Sequence, residues 1–124
     1  LNTLERVHQL ISTVEAKIES KTEFSKIIKG MFPMGSMTGA PKIKSMNIID
    51  EFESTKRGLY SGSVGYIKPN KDFDFNVVIR SIIYDSLLRK INVNVGSAIT
   101  FKCDAETEFE ECLLKAEPMI KSLK

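Results

Sequence analysis

The sequence predicts an α+β fold with a largely antiparallel sheet, and three observations predict it. Strand-like runs rich in β-branched and aromatic residues follow one another between positions 60 and 95, separated by turn signals. Two amphipathic helical stripes flank that block, one before it and one after it. The resulting order is strand, helix, helix, three strands, helix, so hairpin-like strands stand beside separate helices instead of alternating with them.

Residues 6–14 (RVHQLISTV) are rich in β-branched side chains and read as the first strand. Residues 23–29 read as a short helix. Residues 31–40 (MFPMGSMTGA), with one Pro, two Gly and small polar residues, read as a loop. Pro41 then suits a first helical position. Ser45, Ile48, Ile49 and Phe52 follow at i, i+3, i+4 and i+7, so the helix is expected to end near Glu53. Residues 54–58 (STKRG) make a polar connection. Residues 60–67 (YSGSVGYI) read as a strand thinned by Gly62 and Gly65, where glycine marks close approach of another backbone or a ligand. Residues 69–72 (PNKD) are a turn, residues 73–84 one long strand, and residues 85–90 contain the next reversal. Residues 91–95 alternate apolar residues with Asn before Gly96, Ser97 and Ala98. The last helix is expected over residues 105–123, with Phe109, Cys112, Leu113, Ala116, Ile120 and Leu123 on its apolar face.

The 124 residues suffice for one domain with one modest core. A net charge of +2, spread along the chain, argues for neither nucleic acid nor a membrane surface. No apolar run is long enough to span a bilayer. Cys103 and Cys112 can pair, but nothing demands it; with no secretory leader in view they suggest a reducing cytoplasm. They lack CxxC or Cys/His spacing, so zinc is not expected. The chain opens at Leu1 in a strand-like run, as expected of a piece of something longer.

Four places can carry chemistry. The loop Gly35-Ser36-Met37-Thr38-Gly39-Ala40-Pro41-Lys42 precedes a helix whose N-terminal N–H groups and dipole suit a carboxylate or phosphate. The plainer reading, favoured on physics alone, is a tight turn capped by Ser36 or Thr38. Arg80 stands in an otherwise apolar run, where alternation places it on one face with Val78, Ile82 and Tyr84. A guanidinium there needs an anion, either a ligand carboxylate or an Asp or Glu of the same protein, or must reach water. Glu108, Glu111 and Lys115 share one narrow helical stripe. Two carboxylates so spaced suit a hard cation such as Mg²⁺, although spacing alone favours a solvated face with a Glu–Lys pair. His8, the single histidine, shares a strand face with Leu10, Ser12 and Val14; it suits acid–base chemistry or simple packing.

At these residues the chain resembles the chorismate-utilising enzymes, which include anthranilate, aminodeoxychorismate, isochorismate and salicylate synthases. Five blocks carry the resemblance, in order: RVHQLISTVEAKI, FPMGSMTGAPKIKSMNIIDEFE, RGLYSGSVGYI, DFNVVIRS and ETEFEECLLKA. It implies the C-terminal part of a chorismate-binding β/α/α/β sandwich, with helices on one face of a mostly antiparallel sheet. His8 matches a histidine near the departing ring hydroxyl. Ser36 matches a threonine or serine close to the ring carboxylate, and Tyr60 and Arg80 match the pair that holds the enolpyruvyl carboxylate. Gly96 to Ala98 match a Gly-Ala-Gly turn whose N–H groups bind the ring carboxylate; Ala98 replaces the second glycine and serves there as long as its φ is not positive. Glu108 and Glu111 match Mg²⁺ carboxylates, one acting through water, and Lys115 a lysine near the bound carboxylate. The implied cofactor is Mg²⁺, and the implied partners are chorismate and ammonia from a glutamine amidotransferase. Gly39-Ala40-Pro41-Lys42 resembles the aminating branch, and serine at 36 leans toward its aminodeoxychorismate members. The helix faces are expected to meet a half of the sandwich outside these residues, so the chain alone is expected to be inactive and to self-associate or be poorly soluble. A binding module without turnover and a purely structural domain are the competing readings.

Overall fold

The structure is a computed structural model that describes residues 2–4, 7–9 and 12–124, with residues 2–4 and 7–9 described by their backbone alone. The chain forms two compact units, residues 1–32 and residues 33–124. In the first, β1 (Asn2–Leu4) pairs antiparallel with β2 (Val7–Gln9), placing Thr3 opposite His8. Of the strand expected over residues 6–14, residues 7–9 form β2, residues 12–14 take no regular structure, and the rest lie outside the described residues. Helix α1 (Phe24–Met31) stands one to two residues from its expected bounds.

The second unit begins with α2 (Gly35–Thr38), a single turn inside the expected loop, packed against α3 (Lys42–Phe52). Neither Ser36 nor Thr38 caps α3. Thr38 Oγ1 donates back to the Met34 carbonyl at 3.0 Å, and Pro41 occupies the N-cap position, one residue before the expected first helical position.

Four strands follow as two hairpins. Strands β3 (Ser63–Ile67) and β4 (Phe73–Val77) pair antiparallel, as do β5 (Ile82–Asp85) and β6 (Lys90–Val93). Among the described residues every ladder is antiparallel and two-stranded, so the mixed α+β reading holds, with separate ribbons in place of one broad sheet. Gly65 shows why glycine interrupts β3. It lies opposite Phe75, and a Cβ there would sit 2.1 Å from the Asp74 carbonyl oxygen and 2.6 Å from the Phe75 ring. The β5–β6 reversal is closed by Asp85, whose Oδ1 accepts from the N–H groups of Leu87 and Leu88, each at 2.9 Å.

The expected continuous strand over residues 73–84 is broken at residues 78–81. The Ser61 N–H donates to the Val78 carbonyl at 2.9 Å, and the Val78 N–H to the Gly62 carbonyl at 3.0 Å. Just beyond, Arg80 takes φ +50° and turns the chain. The shared face proposed for Val78, Arg80, Ile82 and Tyr84 is lost, because alternation does not survive a left-handed residue.

Helix α4 (Ala105–Lys121) lies against β6. Its start is well specified. Asp104 Oδ1 accepts from both the backbone N–H and the hydroxyl of Thr107 at 2.9 Å, which holds the Asp104 carboxyl below its usual range. Glu106 and Glu108 in the first turn and Lys121 in the last complement the helix dipole. The expected single core is absent among the described residues: Met119 is the one buried apolar side chain and Ser61 the one buried polar one. The apolar stripe of α4 is largely open, with Phe109 63% and Leu113 55% exposed. Cys103 and Cys112 are free thiols. Among the described residues no helix is long and apolar enough to cross a membrane.

Candidate functional site

The breaks in regular structure meet at one cavity. The α2 turn contributes Ser36 and Met37, and the turn before β3 contributes Arg57 and Tyr60. The β4–β5 break contributes Arg80, the segment after β6 contributes Gly96, Ser97 and Ala98, and α4 contributes Lys115. The cavity has a volume of about 290 Å³. It gathers all six residues expected to hold substrate, Ser36, Tyr60, Arg80, Gly96, Ala98 and Lys115, from five separate segments. A second cavity of about 590 Å³ shares Arg80 and Lys115 with the first and adds Glu111, with Ile82, Leu114 and Met119 as apolar wall.

Tyr60 and Gly96 are tightly coupled, since a Cβ at position 96 would stand 2.8 Å from the Tyr60 hydroxyl. Partial burial, opposed by the positive charge of Arg57, pushes the Tyr60 phenol above its ordinary range. It therefore stays protonated at neutral pH and can donate a hydrogen bond to an anion. Arg80 is exposed, lines both cavities, and makes no ion pair or side-chain hydrogen bond among the described residues. An internal carboxylate partner for Arg80 is thus not realised there; its charge is free for a ligand. Neither Gly96 nor Ala98 has positive φ, so alanine meets the condition for donating its N–H at that position.

The α4 stripe shows the Glu–Lys pair anticipated for it. Lys115 pairs with Glu111 Oε1 at 2.6 Å, the expected i, i+4 contact. The same ammonium also donates to the Gly96 carbonyl at 3.0 Å, fastening the turn after β6 to the helix. Glu108 and Glu111 both turn toward one atom, Ser97 Oγ, which contacts Glu108 Oε2 and lies 3.0 Å from Glu111 Oε2. Hydrogen bonds from Lys115 and then Ser97 hold the Glu111 carboxyl below its usual range. Among the described residues no cluster of three or more His, Cys, Asp or Glu surrounds one point. The donor set here is two carboxylates and a hydroxyl, all hard oxygens, and it fits an ion that takes one or two protein carboxylates and completes its shell with water and substrate oxygens.

Two residues escaped the sequence reading. Arg57 binds Glu53 bidentately at 2.5 and 2.8 Å, donates to the Met37 carbonyl at 2.9 Å and to Ser61 Oγ at 3.2 Å, and lies 5.9 Å from the Tyr60 ring centroid. Its signal was the Glu53–Arg57 spacing of four, hidden because the helix ends between them. Ser97 was seen only as a backbone position of the Gly96–Ala98 turn. His8 belongs to the other unit, on β2, and its side chain lies outside the described residues.

Residues 1–121 match the family model described as chorismate binding enzyme. The chain is 43% identical to the rice protein named probable aminodeoxychorismate synthase, chloroplastic, over 93% of this chain and 13% of that one. It is 39% identical to the aminodeoxychorismate synthase of Streptomyces griseus, over 99% of this chain and 17% of the relative. To anthranilate synthase component 1 of Aquifex aeolicus it is 35% identical, over 94% of this chain and 23% of the relative. The chain thus spans about an eighth to a quarter of the length of these relatives. With the match running across both units and through every wall of the cavity, the chain belongs to the chorismate binding enzyme family.

Proposed function

We propose that this chain supplies the carboxylate-holding wall of a site that aminates chorismate to 4-amino-4-deoxychorismate, the reaction that feeds p-aminobenzoate and folate synthesis. The observation that carries the proposal is the single cavity where Arg80, Tyr60, Ser36, Gly96, Ala98 and Lys115 meet. Chorismate carries two carboxylates. The unpaired Arg80 guanidinium and the protonated Tyr60 phenol suit the enolpyruvyl carboxylate, one by bidentate charge pairing and the other by donation. Ser36 and the N–H groups at Gly96 and Ala98 suit the ring carboxylate, with the Lys115 ammonium alongside. His8 is assigned to the departing ring hydroxyl.

Glu108 and Glu111 are assigned to Mg²⁺, which when bound offsets the charge of the ring carboxylate. Ammonia is assigned to a glutamine amidotransferase partner. Both cysteines are free, which supports a reducing compartment such as the cytoplasm; the rice relative is named as chloroplastic.

The names of the Streptomyces and rice relatives support amination at the 4-position; the Aquifex relative keeps anthranilate synthesis as the second reading. The full-length gene product, given chorismate, Mg²⁺ and ammonium, is expected to form aminodeoxychorismate, resolved chromatographically and convertible to p-aminobenzoate by a lyase. Anthranilate with pyruvate release in its place would move the chain to tryptophan synthesis.

The 124 residues alone are assigned part of the site and no turnover. Their open apolar faces, Phe109 and Leu113 of α4 among them, favour association of the isolated chain with itself. Sedimentation of the chain is expected to show species heavier than a monomer; a clean monomer across concentrations would refute this.

A further inference from the structure

We propose that Ser97 is a positioning residue that draws Glu108 and Glu111 together and thereby sets the divalent-cation affinity of the pair. The inference deepens the Mg²⁺ assignment and rests on it. The two glutamates stand three residues apart on α4, and nothing in the helix makes their carboxylates converge. What both of them reach is the hydroxyl of Ser97, held across from α4 in the turn after β6.

A hydroxyl has one proton, so it donates to one carboxylate at a time and turns a lone pair toward the other. Three oxygens bearing two formal negative charges therefore share one proton. Lys115 answers that charge on the far oxygen of Glu111, Oε1, at 2.6 Å. Glu108 has no such partner among the described ion pairs, which leaves the Oε2 side of the cluster without a cation. The turn that carries Ser97 is itself fastened to α4 through Lys115 and the Gly96 carbonyl at 3.0 Å. The hydroxyl is thus offered from a fixed backbone, as a group that orients metal ligands must be.

The test uses Mn²⁺ as the probe on the full-length gene product, with free ion followed by electron paramagnetic resonance. The parent protein is expected to bind Mn²⁺ saturably, and Glu108→Gln to abolish that binding. Ser97→Ala is expected to weaken binding by about 10-fold or more, and Ser97→Thr, which keeps the hydroxyl, to recover most of it. Ser97→Ala binding as tightly as the parent would overturn the role of Ser97 and leave the cation assignment standing. No saturable binding by the parent would overturn both.

Discussion

Arg80→Gly in the full-length gene product is expected to weaken chorismate binding by about 100-fold, since removing one partner of a hydrogen-bonded charge pair costs about 2–5 kcal/mol. The same substitution is expected to leave the stability of the chain unchanged. Arg80 sits at φ +50° in the break between β4 and β5. A left-handed conformation costs a non-glycine residue roughly 1–2 kcal/mol, which glycine avoids. Glycine also frees the unfolded chain, at a cost of about 0.4–1 kcal/mol, so the two effects nearly cancel. No ion pair or side-chain hydrogen bond of the guanidinium is lost among the described residues. Arg80→Lys keeps the charge but not the planar fork, and is expected to fall between the two. Calorimetric titration with chorismate and thermal melts read both quantities. Affinity within about twofold of the parent would remove Arg80 from the substrate site, because even one neutral hydrogen bond is worth about 1 kcal/mol.

The elements that the sequence shows clearly are those whose signals are local. Helix α4 was readable because Phe109, Cys112, Leu113, Ala116 and Ile120 recur at the helical period, and α3 because Ser45, Ile48, Ile49 and Phe52 do. The break at residues 78–81 was hidden inside an apolar run. It is set where the Ile79 N–H turns back to the Val77 carbonyl and by the left-handed backbone of Arg80. Periodicity also names an apolar face without naming what covers it, and the α4 stripe is mostly exposed, as expected of a face that meets residues outside this chain. Residues 12–14, the end of the expected first strand, carry strand propensity but take no regular structure, and a strand is stabilised by its neighbours more than by its own preference.

The candidate site divides in the same way. Arg80 stood out as a charge in an apolar run, and Glu108 and Glu111 by their spacing. Ser36, Tyr60, Gly96, Ala98 and Lys115 gained meaning through the ordered motifs of a family, and the cavity then brought them together. Arg57 and Ser97 were not legible because their importance comes from contacts across the fold. Neither residue type nor spacing reveals that one guanidinium reaches Glu53, Met37 and Ser61 at once.

Arg57→Ala is therefore expected to have the largest effect on stability, about 3 kcal/mol. The hydrogen bonds to the Met37 carbonyl and Ser61 Oγ contribute about 1 kcal/mol each. The contact with the Tyr60 ring adds about 0.5–1 kcal/mol. The Glu53 pair, though bidentate, joins side chains 25% and 40% exposed and is screened, so it adds between 0 and about 1 kcal/mol. Glu53→Gln is accordingly expected to cost less than half as much as Arg57→Ala, although Arg57 holds the Glu53 carboxyl below its usual range. The denaturation midpoint of the chain measures this ranking, and equal losses for the two variants would mean that the ion pair, not the clamp, carries the energy.

The functional consequence follows from what the clamp holds. Met37 adjoins Ser36, and Ser61 adjoins Tyr60, so one guanidinium fixes two walls of the cavity that carry ligand-binding groups. Ser61 is buried, and without Arg57 its hydroxyl loses that donor. Both walls are then free to drift, and ground-state binding should suffer before chemistry does. Arg57→Ala in the full-length gene product is expected to raise KM for chorismate by about 10-fold with a smaller change in kcat. Arg57→Lys, whose ammonium cannot reach all three acceptors, is expected to rescue it little. A parent-like KM in Arg57→Ala would show that water replaces the guanidinium at Met37 and Ser61 without moving either wall.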